Sequence, residues 1–216
     1  MKSMLRFATL LAALCALALS ASAADRRETR AVGEFTAIGL AAPVNVHVTQ
    51  GDAPSLVLEG ADEALVQIET EVVGQSLQIR LKRGTRLSWN HKVVVRVTSK
   101  RIDALAISGS GDIVAPALTG ESLKVSISGS GDMRIGGKVE GLSASIAGSG
   151  DIRAGELDAQ RVKVSIAGSG DATVRVRQAL TVSVAGSGDV RYYGDPSVEK
   201  SVLGSGSVRR LGPASS

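Results

Sequence analysis

One short phrase, Gly-Ser-Gly-Asp, recurs at nearly even intervals through the second half of the chain. Its six copies begin at Gly109, Gly129, Gly148, Gly168, Gly186 and Gly204, and the last copy ends in Ser207 instead of Asp. Successive copies start 18 to 20 residues apart. This spacing is typical of one coil of a strand-built solenoid and is far too short for a folded domain. The repeat therefore predicts a stack of similar coils with an all-β fold.

The segments that lead into each copy alternate between polar and apolar residues, which places the apolar side chains on one face of a strand. The alternation resumes after the turn, as in Asp132-Met133-Arg134-Ile135. In stacked strands about 4.8 Å apart, equivalent apolar residues would form ladders inside the coils. A further apolar pair punctuates each return segment, so three short sides per coil is the simplest arrangement. The segments that lead into the turns are Lys124-Val125-Ser126-Ile127-Ser128, Ser143-Ala144-Ser145-Ile146-Ala147, Lys163-Val164-Ser165-Ile166-Ala167 and Thr181-Val182-Ser183-Val184-Ala185. The apolar pairs of the return segments are Leu118 with Leu123, Val139 with Leu142, Leu157 with Val162, and Val176 with Leu180.

Two topologies fit this alternation. In a parallel solenoid the glycines form a corner, where Gly-Ser-Gly can adopt positive φ at two places and pack against the identical turn above. In an antiparallel meander each Gly-Ser-Gly-Asp would instead be a hairpin tip, and the local alternation would be the same. We favour the solenoid because its period matches one coil.

The first half of the chain lacks the phrase but also reads as strands, with no helical period of useful length. It is expected to form a distinct β layer or a set of irregular coils that covers one end of the stack, which would otherwise be open to edge pairing. Arg209 and Arg210, with the Ser-rich tail, are expected to blunt the other end. The predicted strands are residues 35–40, 44–49, 55–58, 65–72, 77–81 and 93–98.

The N-terminus has the pattern of a secretory signal peptide. Lys2 and Arg6 precede an apolar run, residues 7–19, which ends in the small residues Ala21-Ser22-Ala23. The run is shorter than the roughly 20 residues of a transmembrane helix. We predict cleavage after Ala23, export to the periplasm or the cell surface, and no transmembrane segment in the mature chain.

The single cysteine, Cys15, lies within this signal segment. Leu14 stands directly before it, where a lipid-attachment motif has a small residue, so lipidation is not expected. The mature chain then has no cysteine, which excludes disulfides and thiolate metal sites. Its stability must come from burial and strand pairing.

These features divide the chain into four segments. Residues 1–23 are the signal peptide, residues 24–29 a leader, residues 30–211 one β-solenoid domain and residues 212–216 a disordered tail. Within the domain, residues 30–100 form the irregular β-rich part and residues 101–211 form the repeat coils.

Charge argues against nucleic acid as a partner. The formal net charge of +4 falls by two without Lys2 and Arg6. The remaining basic residues are spread along strands, without the Lys/Arg cluster and interleaved aromatics that bind phosphate backbones and stacked bases.

The repeated aspartates would form a column of carboxylates along one edge. Calcium-binding repeat coils place Asp beside Gly-rich turns, but their repeats are shorter and contain more glycine. Like charges about 4.8 Å apart repel by about 1 kcal/mol even in water. Arg134, Arg153 and Arg191 each follow an Asp by two residues, so we expect charge pairing and turn formation, and we assign no metal site. The column comprises Asp112, Asp132, Asp151, Asp171 and Asp189.

No catalytic set is visible, and neither a catalytic nor a cofactor-binding residue is assigned. A serine column, Ser126, Ser145, Ser165 and Ser183, could present hydroxyls to ice or sugar, or could simply be a solvated face. A nucleophilic serine needs a base, and the only histidines, His47 and His91, lie outside the repeats. Trp89 could stack on a sugar, but packing over a neighbouring apolar edge is favoured.

The ordered segments of the chain resemble one known family. Phe35-Thr36-Ala37-Ile38, Val44-Asn45-Val46-His47-Val48-Thr49-Gln50-Gly51-Asp52, Ile68-Glu69-Thr70-Glu71-Val72, Leu77-Gln78-Ile79 and the Gly-Ser-Gly-Asp coils together are similar to the autotransporter adhesin family of head GIN domains. The resemblance covers about residues 30–211. It implies a bacterial exported β-solenoid of the right-handed, single-stranded parallel kind, and it brings no catalytic residues.

Two function classes follow. The first is a non-catalytic, adhesin-like binding or structural module of the cell envelope, whose partner is an envelope polymer, a glycan or a protein. The second is a carbohydrate-active enzyme of the pectate-lyase type, which needs long loops, clustered acidic calcium ligands and a positioned basic residue. Only residues 82–92 offer a long loop, so the binding module is favoured. A calcium-binding repeat protein is the remaining alternative.

Overall fold

The computed structural model describes residues 26–85 and 92–214. The predicted signal peptide, residues 1–23 with Cys15, lies outside the described residues, and so do Trp89 and His91. Within the described residues, no helix has the length and the apolar character needed to cross a membrane.

The described residues form fifteen strands and one short helix. All fifteen strands join one sheet, which winds into a solenoid of about five turns. The elements are β1 Arg26–Arg30, β2 Ala37–Ala41, β3 Asn45–Gln50, β4 Ser55–Gly60, α1 Asp62–Leu65, β5 Ile68–Val73, β6 Ser76–Leu81, β7 Val94–Ser99, β8 Ala104–Gly109, β9 Asp112–Gly129, β10 Met133–Gly148, β11 Ile152–Gly168, β12 Ala172–Gly186, β13 Val190–Tyr193, β14 Ser197–Gly204 and β15 Val208–Gly212.

The repeat coils stack in parallel and in register. Ile127 pairs with Ile146, Ile146 with Ile166, and Ile166 with Val184. The first glycines of the turns are aligned in the same way. A meander of hairpins would require antiparallel pairing here, so the solenoid prediction is confirmed and the meander alternative is wrong.

We name two sides of each coil by their relation to the Gly-Ser-Gly turn, and the return segment joins them. The approach side holds β8, the second halves of β9 to β12, and β14; the exit side holds the first halves of β9 to β12, β13 and β15. Strands β9 to β12 run through the return segment without a break, over 15 to 18 residues each. Register shifts such as the one between Ile135 and Gly137 bend them there.

The N-terminal strands join the same two sides. On the approach side, β2 pairs in parallel with both β6 and β8; on the exit side, β3 pairs in parallel with both β7 and β9. Beyond these two irregular coils, β5 pairs antiparallel with β6, β4 with β7, and β1 with β4. Irregular coils and a distinct β layer were the alternatives in the sequence; the structure has irregular coils, and the antiparallel strands that flank them belong to the same sheet.

Two local elements differ from the sequence prediction. The strand predicted over residues 65–72 begins only at Ile68, because residues 62–65 form a helical turn that buries Ala64 and Leu65. Strand β1 was not predicted, and it lies mostly within the segment expected to be a leader. Its side chains are largely exposed, and its sequence has no apolar alternation that could have marked it as a strand. Arg30 anchors this strand by donating hydrogen bonds from Nη1 to the Ile68 carbonyl (2.7 Å) and from Nη2 to the Leu65 carbonyl (3.0 Å).

The core consists of the predicted apolar ladders. In the repeated approach segments and return pairs, the apolar residues at the inward positions of the alternation are at most 3% exposed, whereas the alanines that end three approach segments, Ala147, Ala167 and Ala185, are exposed. Burying one such Val, Ile or Leu side chain is worth about 1.5–3 kcal/mol. The inner face therefore holds the coils together, and the outer side chains are free to make a binding surface. One further ladder is Ile113, Met133, Ile152, Ala172 and Val190.

Candidate functional site

The column of Gly-Ser-Gly turns is a tightly packed corner that aligns the coils. The Gly109 carbonyl accepts hydrogen bonds from the backbone N–H groups of Ser130 (2.9 Å) and Gly131 (3.1 Å), and later turns repeat this contact. Gly129 has a φ of 134°. Gly131 does not have positive φ, but a Cβ there would collide with the Gly111 carbonyl oxygen. The prediction of positive φ at both glycines of the turn was thus wrong for the second one. Glycine is needed there because the backbone of the neighbouring coil lies too close to leave room for a Cβ.

Beside this corner, the aspartates form a ladder from coil to coil. Oδ1 of Asp112 accepts the backbone N–H of Asp132 at 2.9 Å. The same bond links Asp132 to Asp151 (3.1 Å), Asp151 to Asp171 (3.1 Å), Asp171 to Asp189 (2.9 Å) and Asp189 to Ser207 (2.9 Å). Each carboxylate therefore satisfies a corner N–H of the following coil and not of its own turn.

Two arginines clamp the second oxygens of this ladder. Arg153 lies 2.9 Å from Oδ2 of Asp132 and 3.0 Å from Oδ2 of Asp151, and the Asp132 hydrogen bond raises the pKa of Arg153. Arg191 bridges Asp171 (3.1 Å) and Asp189 (3.3 Å) in the same way. The predicted pairing is confirmed for these two arginines. It is wrong for Arg134, which has no ion pair among the described residues; the Asp132 carboxylate is already held by Arg153.

The last carboxylate of the ladder has an additional partner. The hydroxyl of Ser207 donates to Oδ1 of Asp189 at 2.8 Å. This bond, the backbone bond from Ser207 and the charge of Arg191 lower the pKa of Asp189.

The ladder leaves little oxygen free for a metal. Calcium takes about six to eight oxygen ligands, whereas four of the five carboxylates are engaged through both oxygens. In residues 26–85 and 92–214, no group of three or more His, Cys, Asp or Glu side chains has a geometry that could hold a metal ion. The geometry therefore supports a structural role for the aspartate column.

The serine column lies on the outer face of the approach side. Ser145, Ser165 and Ser183 are exposed, Ser126 is half-buried, and Ser201 of β14 extends the column. His47 belongs to β3 on the exit side, where it pairs with Arg96 and Val114. The described part of the chain therefore places no histidine on the serine face.

One depression, which we call the acidic cleft, has a volume of about 790 Å³. It is open and lined by the carboxylates Glu34, Asp52, Asp103 and Glu121. One wall is fixed by Gln50, whose side-chain amide donates to the Thr119 carbonyl (3.0 Å) and accepts from the Thr119 N–H (2.7 Å).

A second depression, the basic groove, adjoins the acidic cleft and shares Asp103 and Ser122 with it. Its volume is about 490 Å³, and its floor is the buried ladder of Leu123, Leu142 and Val162. The exposed polar lining consists of Ser122, Lys124, Ser143, Arg161, Lys163 and Thr181.

A third depression of about 310 Å³, the small-residue valley, lies over β2 and β8 and shares Lys124 with the basic groove. Its lining includes Ala37, Gly39, Ala104 and Ala106. The acidic cleft, the basic groove and the small-residue valley therefore form one connected, shallow surface.

The basic groove corrects one conclusion drawn from the sequence. The basic residues looked dispersed, but parallel stacking brings Lys124 of β9 and Lys163 of β11 into one column, separated only by Ser143 of β10. Arg161 precedes Lys163 by two residues and so points to the same face. Cations at the same position of alternate repeats were the signal that could have revealed this cluster.

Comparison with known families decides the relationship of the chain. Residues 34–196 match the family described as "Putative auto-transporter adhesin, head GIN domain". The chain belongs to this family. The head GIN match spans both the irregular coils and nearly all of the repeats, as the resemblance in the sequence predicted. A comparison with curated proteins found no match.

Solved structures share the fold of this head GIN chain. A putative adhesin from Bacteroides fragilis is 23% identical with a TM-score of 0.71, covering 87% of this chain and 97% of its own. A putative adhesin from Parabacteroides distasonis is 21% identical with a TM-score of 0.58, covering 88% and 98%. A putative lipid binding protein from the same species is 22% identical with a TM-score of 0.55, also covering 88% and 98%. At these identities the likeness is one of fold.

Proposed function

We propose that the chain is an exported, non-catalytic, adhesin-like binding module of the cell envelope. Its binding surface is the connected set of acidic cleft, basic groove and small-residue valley. The observation that carries this proposal is that the three depressions adjoin on one rigid stack, because shared lining residues join each to the next. A long, shallow and polar surface suits an extended polymer better than a small molecule, which is usually enclosed in a deeper pocket.

Two further observations support this proposal. The family and two of the three solved structures described above bear the name adhesin, which describes binding and not chemistry. Export rests on the signal-peptide pattern of residues 1–23. The periplasm and the cell surface are both compatible with that pattern.

The acidic cleft is where an enzyme of the lyase type would have its site. Lys100 and Arg101 lie at its edge beside the carboxylates. Arg101, however, is paired with Asp103 at 2.8 Å, and the described carboxylates of the cleft include no three that converge on a metal position. The binding module is therefore the better supported function.

The test is a binding screen of the purified mature chain against glycans and envelope polymers, with and without calcium. Release of new reducing ends is followed in parallel. We expect binding without product release. Release of new ends would favour the lyase, and failure to bind any glycan or envelope polymer would contradict the proposed function.

A further inference from the structure

The geometry of the basic groove points to its ligand, and we propose that the groove binds an acidic polysaccharide whose sugar units carry carboxylates. Lys124 and Lys163 would pair with carboxylates that follow one another along the glycan, and Arg161, on the same strand as Lys163, would add a second contact at that level. This inference rests on the proposed function, because it assigns a ligand class to part of the same surface.

The first support is the spacing of the cations. Lys124 and Lys163 occupy the same column two strands apart, which places their backbones about 9.6 Å from each other. This separation is comparable with the length of a disaccharide in an extended β-linked chain. A glycan lying along the solenoid axis would therefore present one carboxylate to each lysine if every second sugar is a uronate.

The second support is the composition of the lining between and around the cations. Ser143 lies between the two lysines, and Thr181 follows Lys163 in the same column. Their hydroxyls can donate and accept hydrogen bonds, as sugar hydroxyls do. Arg161 adds a planar fork that suits bidentate contact with a carboxylate.

The third support is electrostatic. None of the three cations has an ion pair among the described residues, whereas Asp103, the carboxylate that lines the groove, is paired with Arg101. The positive potential is bounded by carboxylates on two sides. Glu199 of β14 lies beyond Thr181 at one end of the column, and Glu121 of the acidic cleft lies beside the groove, on the same strand as Lys124. An anionic chain would be confined to the groove and repelled from the neighbouring cleft.

Other classes of partner, namely nucleic acids, membranes and peptides, fit the groove less well. Single-stranded nucleic acid binds on aromatic stacking platforms, and no aromatic side chain lines the groove. Membrane insertion and peptide docking need exposed apolar anchors. The large exposed apolar side chains of the described residues, Val66, Val73, Val198, Leu203 and Leu211, all lie outside the lining.

Exposed ion pairs are individually weak, so binding must draw on several of them at once and must weaken as salt screens them. The probe is a hyaluronate oligosaccharide, which carries one carboxylate per disaccharide. The uncharged comparison is the same oligosaccharide with its carboxylates reduced to alcohols. Binding to the full mature chain is measured by calorimetry at low and at high ionic strength.

The decisive variant is the double substitution Lys124→Gln with Lys163→Gln. We expect it to weaken hyaluronate binding by about tenfold or more. The matched control, Lys82→Gln with Lys200→Gln, removes the same charge from exposed positions outside the groove, and should leave binding within about twofold of the original chain. Thermal unfolding of both variants confirms that they are folded.

Several results would overturn the ligand assignment. Equal loss in the two double variants would show non-specific attraction, and equal affinity for the carboxyl-reduced oligosaccharide would show that charge is not recognised. Equal affinity for single-stranded DNA or for phosphatidylglycerol vesicles would remove the preference for a glycan. If the chain binds a neutral envelope polymer unaffected by the groove variant, the ligand assignment fails while the proposed function stands. Failure to bind any polymer contradicts both.

Discussion

The Oδ1 atom of Asp132 lies 3.1 Å from the backbone nitrogen of Asp151, one coil further along the stack. At this corner the Gly-Ser-Gly turn interrupts the ladder of backbone hydrogen bonds between strands. The carboxylate oxygen therefore takes the place of a backbone carbonyl as the acceptor for the Asp151 N–H. A repeated Asp after each turn is therefore explained by the coil that follows it, and removing one carboxylate should affect two coils.

Asp151→Ala should lower the free energy of unfolding by about 1–3 kcal/mol, since the N–H of Asp171 loses its acceptor and Arg153 loses one partner. Asp151→Asn keeps an acceptor oxygen and should be milder. Urea denaturation measures both, with Glu140→Ala as a control at an exposed position. If Asn is as damaging as Ala, the carboxylate acts through its charge and not through the hydrogen bond.

The lowered pKa of Asp189 links stability to pH. Because the folded-state pKa lies below the ordinary value of 3.8, the ionised group stabilises the fold above that value, and this contribution is lost as pH falls through the lowered pKa. Ser207→Ala removes the hydroxyl that is the largest cause of the shift. The variant should be less stable at neutral pH and approach the original chain in acid. A stability difference that does not shrink on acidification would contradict this account.

Ile146→Asp should be severely destabilising, by more than about 4 kcal/mol, because it places an unpaired charge in the middle of an inner ladder. Ile146 is 1% exposed, whereas the neighbouring Ser145 points outward. Ser145→Ala should change stability by no more than about 0.5 kcal/mol. Soluble yield and urea denaturation compare the two, and unfolding by the serine change would reverse the assignment of inner and outer faces.

Gly150→Ala tests the close approach of the turns. The added Cβ would collide with the Gly131 carbonyl oxygen and lie 2.9 Å from the side chain of Ile127. We therefore expect the free energy of unfolding to fall by about 3 kcal/mol, the upper end of the usual cost of overpacking. The control is Gly141→Ala, whose Cβ meets only the Glu121 carbonyl at 3.8 Å. That variant should be neutral or slightly stabilising. Equal thermal midpoints for the two variants would show that the turns can move apart.

Calcium should leave the thermal midpoint unchanged, because the aspartate oxygens are already bound by backbone N–H groups and arginines. A ligand that binds only the folded state must stabilise it. Thermal unfolding in chelator and in excess calcium measures this, and a rise of several degrees with calcium would restore the calcium-ladder alternative.

The sequence predicted the repeat coils well because their signals are local. Alternation with a period of two separates inner from outer residues, and Ile127, Ile146 and Ile166 are buried as expected. The errors have physical reasons of a different kind. The second glycine of each turn is required by a neighbouring coil, and β1 is an exposed outer strand with nothing in its own sequence to mark it.

The sequence by itself determined the length of the repeat, the inner and outer faces of its strands and the position of the turns, since these signals all act within one coil; the parallel pairing of the coils, which the sequence only favoured over a meander, was decided by the structure. Only the tertiary structure decided which segments are neighbours across the stack. It inserted the β2 and β3 coil between the β6 and β7 coil and the first repeat, and it brought Lys124 and Lys163 into one groove. The reason is that alternation specifies the face on which a side chain lies but not the strand that lies beside it.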